Sequence, residues 1–419
     1  MNTATTTHTC TPAALPVSIV DRLARKAVLH VLGSIRHGRL IVEEDDGHCY
    51  SFGDNHSPLQ ARLRIHAPQA YRRILFGGSI GAGEAYIEQL WDADDLTALI
   101  QVMAANLAVV NSMEKGLALL QRPWQRLGHL LRRNSRSRSK KNILSHYDLG
   151  NEMYAAFLDP TMMYSSAIFP HPEASLEEAS QHKLEVICKK LDLQPTDHVL
   201  EIGSGWGGFA IYAAGRYGCR VTTTTISDAQ YREAKRRIEA AGLGDRVTLL
   251  QTDYRDLQGR YDKLVSIEMI EAVGHAFLPS FFAKCGSLLH ENGRMLLQAI
   301  TIRDQQYRSY VGNVDFIQKH IFPGGCLPSN SRMADLLAEK TDMVIRHIED
   351  FGLDYAKTIG EWKRRFNAAF AELKVRGYDE RFRRLWNFYF SYCEGGFLER
   401  SISVVQLVAE RPKASRCTP

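Results

Sequence analysis

The stretch VLEIGSGWGG (199–208) decides the fold class of this chain. Its first four residues have the apolar character of a short strand, and GGFAIYAAGRYG (207–218) has the apolar spacing of a helix. Gly203, Gly205 and Gly208 therefore occupy a turn between strand and helix, where a backbone without Cβ atoms can approach a ligand closely. The spacing satisfies the GxGxxG pattern of nucleotide-cofactor sites, which is a weak signal when it stands alone.

The chain beyond this turn alternates between strand and helix patterns. A β-branched strand (219–227) and a helix with an Asp at its start (228–243) come next. Further strands are predicted at 246–253, 261–270, 293–302, 343–351 and 402–411. The alternation predicts an α/β, Rossmann-like fold with a mostly parallel seven-stranded sheet, and ligands of such sheets bind at the carboxyl ends of the strands.

The ends of three strands indicate which cofactor the turn would hold. A dinucleotide site usually has an acidic residue at the end of the second strand, but this strand ends in four threonines (222–225), and Asp228 fits the first turn of a helix. Glu201 suits the positively charged amino-acid end of S-adenosylmethionine, and Asp253 is placed to meet its adenine amino group. The sequence therefore predicts a class I S-adenosylmethionine-dependent methyltransferase. The alternative is a structural turn with two helix caps.

Cysteine spacing and charge limit the other options. The eight cysteines are scattered without CxxC pairs, so we expect reduced thiols and no metal site. No apolar run approaches the ~20 residues of a membrane-spanning helix, and the N-terminus lacks the charged start of a secretory signal. The net charge is +5, yet eight Arg and Lys residues lie between Gly116 and Tyr147 without an acidic residue. We expect a cytoplasmic protein. The basic segment suits peripheral docking on an anionic phospholipid membrane surface, and a solvated linker or a nucleic-acid contact would have the same composition.

Composition also divides the chain into segments. The N-terminus is rich in Thr and Pro, which is typical of disorder, and the next hundred residues mix helix and strand patterns. Within them, GGSIGAGEAY (77–86) is predicted to form turns. The predicted segments are a disordered N-terminus (1–17), a smaller N-terminal α+β domain associated with lipid (18–115), a basic linker (116–142), the catalytic domain (143–411) and a tail (412–419).

Six ordered blocks of sequence resemble one known family, the cyclopropane-fatty-acyl-phospholipid synthases, to which the mycolic acid cyclopropane synthases also belong. The blocks are HYDLGNEMYAAFLDPTMMYSSAIF (146–169), VLEIGSGWGG (199–208), TISDAQ (225–230), DYRDL (253–257), SIEMIEAVGH (266–275) and IFPGGCLPS (321–329). The resemblance implies an enzyme that transfers a one-carbon unit from S-adenosylmethionine to the cis double bond of an unsaturated acyl chain in a membrane phospholipid. A homodimer is compatible with it, and nucleic acid is not expected as a partner.

The resemblance also implies the residues of the site. The implied cofactor-binding residues are Tyr164, Ser165, Val199, Glu201, Gly203, Gly205, Gly207, Thr225, Gln230, Thr252 and Asp253. The implied catalytic residues are Glu271, Tyr355, Ser166, Gln298 and Cys393. In the family a bound bicarbonate ion acts as the base, so Glu271, Tyr355, Ser166 and Gln298 would hold bicarbonate here, with Glu271 orienting the ion. The thiol of Cys393 matches a family cysteine, although no step of the chemistry requires a thiolate.

Three positions depart from the family pattern. Ser166 replaces a cysteine, Ala272 replaces a histidine and Gln298 replaces another histidine. Ser and Gln can hydrogen-bond an anion, but neither can carry a positive charge as His does. These changes leave open whether the product is a cyclopropane ring or a methyl- or methylene-branched chain.

The reaction itself explains why such a site is needed. An isolated alkene attacks a sulfonium methyl only when it is held in line with it, and the resulting carbocation must be kept from water. A base then removes a proton from the added methyl, and the ring closes. The sequence is also compatible with two other hypotheses: a methyltransferase of small soluble molecules, and a non-catalytic lipid-binding protein that retains the fold.

Overall fold

The computed structural model describes residues 18–107, 109 and 150–412. The predicted disordered N-terminus, the basic linker and nearly all of the predicted tail lie outside these residues, and so does the start of the predicted catalytic domain. Among the described helices, none has both the length and the apolar character that crossing a bilayer requires.

The N-terminal residues form a four-stranded sheet with three helices. The strands are β1 (Arg39–Glu44), β2 (Cys49–Gly53), β3 (Gln60–Ile65) and β4 (Trp91–Ala93), and the helices are α1 (Ile19–Leu32), α2 (Gln69–Ile87) and α3 (Leu96–Ala105). The strand order is β2-β1-β3-β4, with β1 and β3 parallel and the other pairs antiparallel. Alternate residues of β1 and β3 are buried, as expected for a sheet with one covered face.

The prediction of turns at 77–86 is wrong, because these residues belong to α2. The helix is interrupted by a kink at Gly78, whose φ of 57° and ψ of −140° are not helical. A Cβ atom at Gly83 would lie 2.6 Å from the ring of Phe316. Gly83 therefore permits the helix to pack closely against its neighbours, which local turn propensity does not reveal.

The larger sheet has seven strands, which confirms the predicted α/β class. Its strands are β5 (His198–Ile202), β6 (Arg220–Thr224), β7 (Val247–Leu250), β8 (Tyr261–Ile267), β9 (Leu289–Ile302), β10 (Val344–Asp350) and β11 (Ile402–Glu410). Their order is β10-β11-β9-β8-β5-β6-β7. The five strands from β9 to β7 are parallel, whereas β11 runs antiparallel to both of its neighbours.

Among the described residues, ten further α-helices accompany this sheet. They are α4 (Asn151–Ala155), α5 (Leu176–Leu191), α6 (Gly208–Tyr217), α7 (Asp228–Ala240), α8 (Leu278–Ser287), α9 (Asp304–Val311), α10 (Phe316–His320), α11 (Asn330–Lys340), α12 (Gly352–Val375) and α13 (Glu380–Leu398). The hydroxyl of Ser227 caps α7 by accepting from the Gln230 amide, and Asp228 lies in its first turn as predicted.

Helices α12 and α13, which the sequence analysis did not assign, connect the two sheets. They pack against each other, and α13 also packs against α2 and α3. Arg384 of α13 donates to the Asp92 carboxylate at 2.7 Å, and Lys363 of α12 donates to the Thr97 hydroxyl at 2.6 Å. The N-terminal unit is thereby held over the carboxyl ends of the larger sheet, where the candidate site lies.

Candidate active site

The glycine turn lies at the carboxyl end of β5. Gly203, Gly205 and Gly207 have φ values of +99°, +48° and +85°, which L-residues with a Cβ rarely adopt. The amides of Gly203 and Ser204 donate to the Thr224 carbonyl at 3.1 and 2.8 Å, so β6 anchors the turn. A Cβ at Gly205 would meet no atom within 4 Å, so the turn presents bare backbone to open space. This geometry suits the close approach of the amino-acid part of a cofactor.

Glu201 is a buried carboxylic acid beside this turn. Its side chain is 2% exposed and its Oε2 accepts a 2.5 Å hydrogen bond from the Thr223 hydroxyl. Burial raises the pKa of Glu201 to about 8. A cationic ligand nearby would favour the ionised carboxylate, so the cofactor-binding residue predicted here has the right chemistry for a sulfonium or ammonium group.

The other predicted cofactor residues differ in their hydrogen bonds and in whether they line the cavity. The Thr225 hydroxyl donates to Gln230 Oε1 at 2.9 Å, and both residues line the cavity at the turn. The carboxylate of Asp253 accepts two hydrogen bonds from the Arg255 guanidinium, at 2.8 and 2.7 Å, so it is already neutralised. Thr252 also lines the cavity, whereas Val199 and Gly207 do not belong to its lining.

One cavity of about 610 Å³ connects the glycine turn with the interior of the N-terminal unit. Its volume lies within the ~300–1,000 Å³ of ordinary ligand sites. Residues of the larger sheet and its helices line one end, among them Tyr164, Ser165, Glu271, Tyr355 and Cys393. Residues of the N-terminal unit line the other end, among them Val28, Leu32, Leu40, Leu63, Tyr71 and Met103. A polar, glycine-lined end is thus continuous with a deep apolar end.

Glu268, which the sequence analysis did not select, holds the centre of the polar end. It directly follows β8, and its φ of 49° is in the left-handed region. Tyr355 donates its hydroxyl to Oε2 at 2.6 Å, and Oε1 accepts from Gln298 Nε2 at 2.8 Å and from the Ser166 amide at 2.9 Å. Three of the four groups predicted to surround a bicarbonate ion therefore converge on this carboxylate.

Glu271 has different surroundings from those predicted. Its Oε1 accepts from the Ile300 amide at 2.6 Å, and its buried Oε2 has no hydrogen-bond partner among the described residues. Burial, and secondarily repulsion from Glu268, raise the pKa of Glu271 to about 8. Glu271 lines the same cavity but makes no hydrogen bond to Tyr355, Ser166 or Gln298 within the described part of the chain.

Lys183 supplies a buried positive charge near these carboxylates, and no sequence signal pointed to it. Its Nζ donates to the Ser165 hydroxyl at 2.7 Å, and its side chain is fully buried. Burial lowers the pKa of Lys183 to about 8, while attraction by Glu268 opposes that shift. Ser165 thus links the predicted cofactor region to the acidic cluster.

Aromatic rings form the walls between the turn and the acidic cluster. The Tyr164 and Tyr389 hydroxyls lie 3.0 Å apart, and the Tyr355 ring packs 4.5 Å from that of Phe397. Burial raises the pKa of the Cys393 thiol, so this cavity residue is a neutral thiol rather than a thiolate. The walls therefore combine apolar faces with few charges.

The fold and the site together define a class I S-adenosylmethionine-dependent methyltransferase. The features that define this class here are the parallel sheet, the glycine turn at the end of β5 and the cavity that opens beside it. The fold agrees with that of coclaurine N-methyltransferase, whose solved structure has a TM-score of 0.58 at 17% identity.

Comparison with known proteins narrows the methyltransferase class to one family. Residues 134–407 match the family model of mycolic acid cyclopropane synthetase. The tuberculostearic acid methyltransferase UfaA1 of Mycobacterium tuberculosis is 36% identical over 410 residues, which are 96% of this chain and 93% of the relative. The cyclopropane-fatty-acyl-phospholipid synthase of Escherichia coli is 37% identical over 355 residues, covering 84% of this chain and 88% of that enzyme.

Solved structures agree with these matches. The cyclopropane synthase MmaA2 from Mycobacterium tuberculosis has a TM-score of 0.61 at 27% identity, covering 65% of this chain and 98% of that chain. The mycolic acid cyclopropane synthase CmaA1, complexed with SAH and CTAB, has a TM-score of 0.60 at 27% identity. This chain belongs to the mycolic acid cyclopropane synthetase family, which confirms the resemblance found in the sequence.

Proposed function

We propose that this protein transfers a one-carbon unit from S-adenosylmethionine to the cis double bond of an unsaturated acyl chain in a membrane phospholipid. The observation that carries the proposal is the single cavity that joins the glycine turn to the apolar interior of the N-terminal unit. A soluble small-molecule substrate would not require this deep apolar end. The curated relatives are lipid-modifying enzymes by name, which supports the same substrate class.

The cavity suits the two demands of the chemistry. Its apolar end would hold an acyl chain, so that the alkene faces a sulfonium methyl bound at the glycine turn and water is kept from the carbocation. The rings of Tyr164, Tyr355 and Tyr389 line the polar end, and aromatic rings stabilise a nearby cation. When S-adenosylmethionine is bound it supplies the electrophilic methyl, and Glu201 would balance its positive charge.

The predicted bicarbonate ion does not fit the acidic cluster as it is built. Tyr355, Gln298 and the Ser166 amide, which were expected to bind the ion, already donate to Glu268. A second anion in this place would lack donors and would be repelled by the carboxylate. The proposed reaction therefore includes no step through bicarbonate.

A methyl- or methylene-branched product is the second candidate. UfaA1, which this chain matches over 93% of its length, is named as a tuberculostearic acid methyltransferase. This chain also has Ser166 and Gln298 where the family pattern has Cys and His. Ring closure requires the base to remove a proton from the added methyl before the cation rearranges. The position of the base relative to the chain therefore decides between ring and branch.

Helix α1 supports docking at a membrane surface, where the substrate chain lies. Its inner face, with Val28 and Leu32, lines the cavity, while Ile19 and Leu23 are 68% and 63% exposed. We therefore place α1 at the entrance for the acyl chain, with the basic segment outside the described residues adding attraction to anionic lipid at the cytoplasmic face. Ile19→Glu with Leu23→Glu should reduce binding to anionic phospholipid vesicles in a flotation assay. Val375→Glu, at an 89% exposed position, should not.

The direct test uses vesicles of a cis-unsaturated phospholipid, S-adenosylmethionine and the full chain. We expect the acyl chain to gain the mass of one methylene, measured by mass spectrometry, and loss of the alkene identifies the ring. Gly203→Val should abolish turnover, because a Cβ there would lie 3.1 Å from Met269 and the φ is +99°. Gly244→Ala is the matched control, since its Cβ would meet nothing within 4 Å. Absence of lipid product with the unaltered protein would refute the proposal.

A further inference from the structure

We propose that Glu268 is the general base of the reaction and takes the place of a bound anion. The inference rests on the proposed function and names the group that receives the proton. Its basis is the position of the Glu268 carboxylate, which lines the cavity and accepts three hydrogen bonds from groups on three separate parts of the chain.

The backbone conformation of Glu268 indicates that this carboxylate has a specific role. A residue with a Cβ is strained at a φ of 49°, and glycine would adopt the conformation without that strain. The Glu268 amide donates to the Gln298 carbonyl at 2.8 Å, which fixes the turn after β8. Such strain is concentrated at functional sites, and here it directs a carboxylate into the cavity.

The orientation of the Gln298 amide is set by a chain of hydrogen bonds that starts at Lys190. Lys190 Nζ can only donate, and it donates to Gln406 Oε1 at 2.7 Å. Gln406 Nε2 therefore faces Gln298 Oε1 at 3.0 Å, which leaves Gln298 Nε2 to donate to Glu268 at 2.8 Å. Gln298 and Gln406 are paired across β9 and β11 and are both fully buried. The amide nitrogen of Gln298 is thus oriented to donate a hydrogen bond to an acceptor at the position of Glu268.

The surroundings of the two glutamates favour a different protonation state for each. Glu268 has three donors and the attraction of Lys183, whereas Glu271 has one donor and an unpartnered Oε2 within the described residues. Burial raises the pKa of both acids, and the hydrogen bonds to Glu268 oppose the shift there. The three donors therefore favour the ionised form of Glu268, and a proton shared by the pair is held more favourably by Glu271.

The proposed step conserves atoms and charge. The alkene electron pair forms a bond to the methyl carbon as the carbon–sulfur bond breaks, giving neutral S-adenosylhomocysteine and a chain carbocation. Glu268 then takes a proton from the added methyl, and the C–H electrons form the second ring bond. Glu268 is left as a neutral acid, which returns the proton to solvent after the product leaves. No oxidant or reductant is needed.

Bicarbonate dependence is the first test. In carbon-dioxide-free buffer, the unaltered protein should convert unsaturated phospholipid at a rate within about twofold of that with added bicarbonate, because its base is covalently attached. A rate that depends strongly on bicarbonate would overturn the inference while leaving the proposed function intact. No lipid product under either condition would instead overturn the proposed function.

Two substitutions at the same position provide the second test. Glu268→Gln should lower kcat by about 100-fold or more, as expected for loss of a general base, with Kd for S-adenosylmethionine unchanged. Glu268→Gly suits the φ of 49° and leaves space for a small anion, so formate or bicarbonate should restore turnover by about tenfold or more. The exposed Glu239→Gln is the matched control and should behave as the unaltered protein does.

A structural role would not produce anion rescue, so the rescue carries the inference. Full turnover by Glu268→Gln would overturn it, and so would absence of rescue in a Glu268→Gly protein that still binds S-adenosylmethionine. Stimulation of the unaltered protein by formate to the same degree as the glycine variant would also overturn it.

Discussion

Replacing Glu201 with glutamine should stabilise the cofactor-free protein at neutral pH and weaken its binding of S-adenosylmethionine. Burial raises the pKa of Glu201 from 4.5 to about 8. The folded protein therefore holds a proton that the unfolded chain releases above pH ~5, and the free energy of unfolding falls as the pH rises towards 8. Glutamine keeps an oxygen that can accept from the Thr223 hydroxyl, but it has no proton to lose.

The size of the stability difference follows from the pKa shift of Glu201. Each pKa unit corresponds to about 1.4 kcal/mol, so between pH 5 and pH 7.5 the stability of the variant relative to the unaltered protein should rise by about 3 kcal/mol. Urea denaturation of both proteins at several pH values measures this difference. Parallel pH profiles for the two proteins would show that Glu201 titrates normally and would rule out the predicted stabilisation.

The same carboxylate couples protonation to cofactor binding. A cation near Glu201 favours its ionised form, so binding of S-adenosylmethionine at pH 7 should release close to one proton. Calorimetry in two buffers with different ionisation enthalpies measures that proton. The glutamine variant should release none and should bind about tenfold or more weakly. Equal proton release from both proteins would contradict the assigned role of Glu201.

Three further substitutions test the walls of the cavity. Tyr355→Phe removes the 2.6 Å hydrogen bond to Glu268 but keeps the ring against Phe397, so kcat should fall about 10- to 100-fold with cofactor binding retained. Cys393→Ser should keep kcat within about threefold, because the thiol is neutral, and a far larger loss would contradict this. Ala82→Phe fills the apolar end of the cavity and should slow turnover of long acyl chains about tenfold more than that of short ones, compared with two synthetic phospholipids.

The larger sheet could be predicted from the sequence because its signals are local. Apolar and β-branched runs gave all seven strands, and the glycine turn and the Ser227 cap followed from short motifs. The glycine-rich part of α2 could not be predicted in this way, since its Gly83 serves a contact with α10, more than two hundred residues away. Helices α12 and α13 were not assigned either, although together they connect the two sheets.

The site was predictable in outline but not in its central group. The motifs found Tyr355, Gln298 and Ser166, yet the choice between Glu268 and Glu271 depends on the left-handed turn after β8. The contacts that distinguish the two acids come from residues 87, 30 and 102 positions away from Glu268. Sequence spacing alone carries no information about such distant contacts, so it could not show that these groups converge on Glu268.

In the proposed reaction a methyl group is transferred to an alkene in this cavity and then loses a proton to a base beside it. Trideuteromethyl S-adenosylmethionine and a cis-unsaturated phospholipid provide the decisive test, with the product analysed by mass spectrometry and NMR. We expect a ring carbon that carries two deuterium atoms, with the alkene gone. A product that keeps three deuterium atoms, or lipid without any label, would contradict it.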